Sequence, residues 1–138
     1  MVVLDTDIFT LLVAAHERVV GRFRETADEV VISVVTRIEV LQGRFAGIMK
    51  AADGEEGARA QARLNKAERD LSPFRVLPFT ETTAAVFDRL RANKRLKKVG
   101  LADLLIASIT LANGAPLVTR NEKHFKLVPG LTNQNWAD

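Results

Sequence analysis

The 138-residue chain contains no cysteine and no tyrosine, and only two histidines and four prolines. Without cysteine there can be no disulfide, thiolate zinc site or cysteine nucleophile. The two histidines, His16 and His124, lie far apart in sequence, which argues against a histidine-built metal site. Aromatic residues make up 6% of the chain, too few for an extended base-stacking platform. No apolar run approaches the roughly 20 residues of a membrane span. The N-terminus lacks the basic, apolar and small-residue regions of an export signal. The expectation is a soluble, cytoplasmic protein with no membrane association.

What is present is globular: 47% hydrophobic and 27% charged residues, sufficient for one domain over residues 1–138. The net charge of +3 modestly favours a polyanionic partner, although it also serves solubility. Short apolar runs at Val2–Leu4, Val30–Ile32, within "FRVLPF" and at Pro116–Thr119 read as strands. A short fifth strand is expected near Leu131–Thr132. Helical patterns separate them: one through Phe9, Leu12 and Val13, another through Val19 and Phe23, and a third after Ser33. The rest are Gly54–Leu71, Glu81–Lys98 and "LADLLIASITLAN", which is apolar on nearly every face. Strands alternating with helices predict an α/β fold with a parallel sheet covered on both faces.

In such a sheet, ligands gather outside the carboxyl ends of the strands. "VVLDTDIF" puts Asp5 and Asp7 at the end of the first strand. Glu39 follows the second, about six residues past Ser33 and therefore ~9 Å along a helix axis. Helical side chains tilt towards the N-terminus, so this carboxylate can lean back to the same rim. Asp103 lies in the first turn of the apolar helix, and Asn121 follows the fourth strand. Each has a structural explanation: Asp7 as an N-cap, "TRIE" at Thr36–Glu39 as a capping box, Asp103 as a partner of the helix dipole. Asp5, ending a core strand, has the weakest one. Clustered carboxylates repel unless a cation joins them, and oxygen donors without His or Cys suit Mg²⁺ or Mn²⁺.

With those acids placed, the chain resembles the PIN-domain ribonucleases, in particular the VapC-type toxins of type II toxin–antitoxin pairs. The blocks that carry the resemblance are "VVLDTDIF", "VISVVTRIEVLQGRF", "VGLADLLIASITLANGAPLVTRNEKHF" and "VPGL". It implies a PIN-domain-like three-layer α/β/α fold with a central parallel sheet of four to five strands. It also implies a Mg²⁺- or Mn²⁺-dependent endoribonuclease, with Asp5, Glu39 and Asp103 in the metal-binding cluster. Asp7 would act through water or a neighbouring ligand, and Thr119 would place a hydroxyl near the reacting water. The family's fourth acid falls at Asn121, an amide that adds no charge and so weakens the case for a second ion. The resemblance further implies a homodimer silenced by a small antitoxin, with DNA binding left to that partner. The basic run "RANKRLKK", holding Lys94, Arg95, Lys97 and Lys98, could grip RNA phosphates or simply end a solvated helix. Three rivals remain on sequence alone: an Asp-x-Asp phosphatase, a receiver-like Mg²⁺-binding domain, and an RNA-binding PIN domain without catalysis.

Overall fold

The computed structural model describes residues 1–138. Its centre is a five-stranded parallel sheet of order β3-β2-β1-β4-β5. The strands are β1 (Val2–Leu4), β2 (Val30–Ser33), β3 (Val76–Leu77), β4 (Leu117–Val118) and β5 (Asn133–Gln134). The helices are α1 (Thr6–Val13), α2 (Glu17–Glu25), α3 (Val34–Met49), α4 (Gly54–Leu71), α5 (Glu81–Ala92), α6 (Leu101–Ala112) and α7 (Glu122–Phe125).

The strands are short because each has only to cross the middle of a two-sided core. Val2 and Leu4 join one apolar cluster with Ile8, Phe9, Ile32, Val118 and Trp136. Val3 faces the opposite way, with Val31, Leu117, Ile106 and Phe125. Successive strand side chains point to opposite faces, so continuous apolar runs are what a doubly covered sheet requires. The register aligns Leu4 with both Ile32 and Val118. The next residues in register, Asp5, Ser33 and Thr119, therefore emerge on one rim. β1 is central, and the chain winds from it to β2 and β3 on one side and later to β4 and β5 on the other. That reversal makes the β1–β4 boundary the topological switch point, where open α/β sheets bind ligands.

Several expected elements differ in detail. The helix expected over Glu81–Lys98 ends at Ala92, and Lys94–Leu96 forms a separate 3-10 turn. Asn93 is extended there, and its Oδ1 accepts the Arg95 N–H at 3.0 Å. A side-chain acceptor competing with the helix ladder in this way ends it, and the redirected chain buries Leu96 and Val99. The fifth strand lies at Asn133–Gln134, two residues beyond the expected place. Gly130, at φ +81°, first turns the chain, and Leu131 packs against the core. α7 had no sequence expectation; it is a single turn anchored by the buried Phe125.

Two capping assignments also change. Asp5, not Asp7, caps α1, its Oδ1 accepting the Thr6 N–H at 2.7 Å. Ser33 caps α3 by accepting the Thr36 N–H at 3.2 Å, so Thr36–Glu39 is not a capping box. Glu39 is thereby free for another partner.

Candidate metal centre

Asp5 is held in place from three sides. β1 delivers it to the rim, Thr6 N–H binds one carboxylate oxygen, and Thr119 Oγ1 donates to the other at 2.8 Å. Its backbone N–H donates to the Val118 carbonyl at 2.9 Å, which locks it to β4. Only 6% of the residue is exposed. Burial pushes its carboxyl up to about 6; the Thr119 and Thr6 hydrogen bonds oppose the rise, and the nearby charges of Asp103 and Asp7 add to it. A carboxylate desolvated beside two other acids favours any cation that can join them.

Asp103 arrives from the first turn of α6, whose N-cap is Gly100 with no side-chain cap. Its Oδ2 lies 3.5 Å from Asn121 Nδ2 and 3.7 Å from His124 Nδ1. Asn121 Nδ2 also stands 3.0 Å from His124 Nδ1, and the Asn121 N–H donates to Thr119 Oγ1 at 2.9 Å. Thr119 thus links Asp5 with Asn121, and Asn121 links on to Asp103. His124 belongs to this group, although its distance in sequence from His16 argued against a histidine-built metal site. The detectable signal was its spacing of three from Asn121, one helical turn on α7.

Glu39 stands to the other side. Its Oε1 accepts a 2.6 Å hydrogen bond from Thr6 Oγ1, which also lies 2.9 Å from Thr36 Oγ1. The three expected carboxylates are spread along the rim. No group of three His, Asp or Glu side chains stands close enough together to hold an ion at once. Asp103 lies near enough to act on Asp5 through its charge, while Glu39 is held separately by the Thr6 hydroxyl. Asp7 is exposed in the first turn of α1 and acts on Asp5 through its charge. Lys94, Arg95, Lys97 and Lys98 are exposed on the segment leading into α6.

The donor chemistry fits a hard divalent ion: the rim presents carboxylate, hydroxyl and amide oxygens, with one imidazole at its edge. Asp5 and Asp103 would hold such an ion, with Glu39 the third carboxylate. Beside the centre, α1, α3 and α4 enclose a groove of about 590 Å³ that opens at Thr6 and Glu39. Phe9, Val13, Val40 and Ala67 line its apolar part, and Arg44, Arg63 and the Lys66–Asp70 ion pair its polar part.

These features define a class: parallel α/β domains with an acidic centre at the switch point of the sheet. Comparison with known proteins narrows it. The PIN domain family matches residues 2–131, and the chain belongs to that family. It is 36% identical over 74 residues to Ribonuclease VapC2 of Rickettsia felis, a stretch covering 52% of this chain and 55% of that protein. The match thus spans about half the length of the relative. Among solved structures, the VapBC2 complex of Rickettsia felis, bound to a DNA fragment from its promoter, superposes with a TM-score of 0.76. Identity there is 26%, over 99% of both chains. The DNA-bound VapBC of Salmonella typhimurium gives a TM-score of 0.79 at 25% identity, covering 98% of this chain and 97% of that one.

Proposed function

We propose that this protein is a divalent-metal-dependent endoribonuclease and the toxin of a type II toxin–antitoxin pair. The observation that carries the reading is the meeting of Asp5 and Asp103, from segments nearly a hundred residues apart, at the β1–β4 switch point. Its similarity to a ribonuclease and to VapBC toxin–antitoxin complexes supports the assignment.

Asp5 and Asp103 would hold Mg²⁺ or Mn²⁺, with Glu39 as the third acid. The ion, when bound, supplies charge neutralisation at a phosphodiester and acidifies a water for attack. The protein contributes position. Thr119 and the Thr6 amide fix both oxygens of Asp5, so this acid cannot rotate away as charge develops. Asn121 donates to Asp103 and adds no negative charge, which favours one ion over two. Lys94, Arg95, Lys97 and Lys98 would meet RNA phosphates, a contact that positions the strand without reading its bases.

The groove beside Glu39 would receive the antitoxin, its apolar part taking an amphipathic segment and Arg44 and Arg63 favouring acidic side chains on it, Lys66 being paired with Asp70. DNA binding would rest with the antitoxin, and the toxin would act as a homodimer. A cytoplasmic site of action accords with an RNA substrate, and no helix is long and apolar enough to cross a membrane.

The test is incubation of purified protein with total RNA in Mg²⁺, Mn²⁺ or excess chelator, followed by end mapping. Cleavage at defined sites should require the ion. Intact RNA in both metals, or equal cleavage in chelator, refutes the nuclease.

A further inference from the structure

The observation is the pair of hydrogen bonds made by Thr6 to two different acids. Its backbone N–H donates to Asp5 Oδ1 at 2.7 Å, and its hydroxyl reaches Glu39 Oε1 at 2.6 Å. The same hydroxyl lies 2.9 Å from Thr36 Oγ1. Thr6 lies between Asp5 and Asp7 at the start of α1, while Thr36 and Glu39 sit one turn apart on α3. One residue therefore joins the strand-end acid to the helix acid across two elements.

Proton counting fixes the direction of the chain. A threonine hydroxyl has one proton, and an ionised carboxylate only accepts. The Thr6 proton must go to Glu39, so Thr36 must donate to Thr6. Thr36 is fully buried, and its backbone is fixed by the Ser33 cap. The order is Thr36 to Thr6 to Glu39, a polarised run of the kind whose members strengthen one another. Its free end is the carboxylate. Glu39 is exposed, and no other hydrogen bond to its side chain restrains it. A long exposed side chain loses substantial rotamer freedom when it is fixed, so an acid needed at a defined place requires a tether.

We infer that Thr6 is a positioning residue that holds Glu39 on the Asp5 side of the rim, with Thr36 as its buried anchor. The inference rests on the metal-centre reading above. Thr6 is given no place among the ligands; it acts through Glu39. The expected size is that of other groups that orient metal ligands, about tenfold or more in affinity.

The experiment measures Mn²⁺ binding by electron paramagnetic resonance of the free ion, without RNA. Thr6→Val keeps the side-chain shape and the backbone N–H but removes the hydroxyl; it should weaken binding about tenfold. Thr6→Ser restores the hydroxyl and should stay within about twofold of wild type. In a Glu39→Gln background, Thr6→Val should change the affinity by less than about twofold, because the residue it acts through no longer carries the charge. Circular dichroism checks that each variant is folded; should Thr6→Val unfold, the Thr36→Val protein replaces it, with a smaller loss expected in the same direction. Unchanged Mn²⁺ affinity in folded Thr6→Val overturns the positioning role and leaves the metal centre standing. A loss in Thr6→Ser as large as in Thr6→Val, or an additive loss in the Glu39→Gln background, also overturns it, since Thr6 would then act by shape or as a ligand. Absence of Mn²⁺ binding in the wild type removes the metal centre itself, and the positioning role with it.

Discussion

The two sides of the acidic rim are built on opposite principles. At the β1–β4 corner, Asp5 is buried, bonded through both oxygens, and destabilised as an anion by burial and by Asp103 and Asp7. At the α1–α3 corner, Glu39 is exposed and held by one hydroxyl at the end of a side-chain relay. The first acid is placed by the fold and stores electrostatic strain. The second is placed by a tether. Stability and function should therefore be coupled at Asp5 and separate at Glu39.

The widest break in that comparison comes from removing either core charge. Asp5→Asn and Asp103→Asn should each lower metal-dependent RNA cleavage about a thousandfold or more, because metal charge stabilisation is worth several kcal/mol and each 1.36 kcal/mol is a factor of ten. Single-turnover cleavage assays measure this; wild-type rates in either variant would displace that acid from the centre.

Stability should move the other way at Asp5. Burial pushes its folded carboxyl up from 3.8 to about 6, so the folded state prefers the neutral form. The wild-type protein in chelator should have this contribution in full below about pH 4 and lose it as pH rises through about 6. Asparagine caps a helix as well as aspartate does and carries no charge to desolvate. Asp5→Asn should therefore match wild type at low pH and exceed it above pH 6 by up to about 3 kcal/mol. Denaturant melts at pH 4 and pH 7.5 test it, and a pH-independent difference would contradict the strained carboxylate.

Glu39→Gln sharpens the contrast. The amide oxygen can still accept from Thr6, and the site is exposed, so the melting temperature should shift by no more than about 0.5 kcal/mol equivalent. Cleavage should nevertheless fall by about tenfold to a hundredfold. A large stability loss with normal turnover would make Glu39 structural.

The smallest effect is expected at Asn121, which bridges toward the Asp5 corner through Thr119 and touches Asp103. Asn121→Asp adds a charge to the rim. It should lower the metal concentration for half-maximal cleavage by a few fold and slightly destabilise the chelated protein through repulsion with Asp103. An unchanged metal requirement would place Asn121 outside the coordination sphere.

How much of this was legible before folding depends on the residue. Val2–Leu4 and Val30–Ile32 declare themselves as core strands because a sheet covered on both faces needs no polar alternation. Asp5, Glu39, Asp103 and Asn121 could be assigned to one rim because parallel topology sends every strand's carboxyl end to the same edge. The break at Asn93 was hidden, since a local side-chain bond competes with a helix whose apolar pattern continues. The N-cap that Asp7 could have supplied is supplied by Asp5, two residues earlier, at a boundary that periodicity does not resolve. The contacts of His124 and Thr6 were not legible, because each sits beside its partner only after α7 and α1 are in place.

The sequence by itself determined the alternation of short apolar strands with helices, the sheet's parallel character and the set of acids at its edge, because these follow from periodicity and chain order. Only the tertiary structure decided how those acids are held. It buried Asp5 against Thr119, set Asn121 between Asp103 and His124, and tied Glu39 to Thr6. Hydrogen bonds act over about 3 Å, and no spacing along the chain specifies which side chains come that close across a fold.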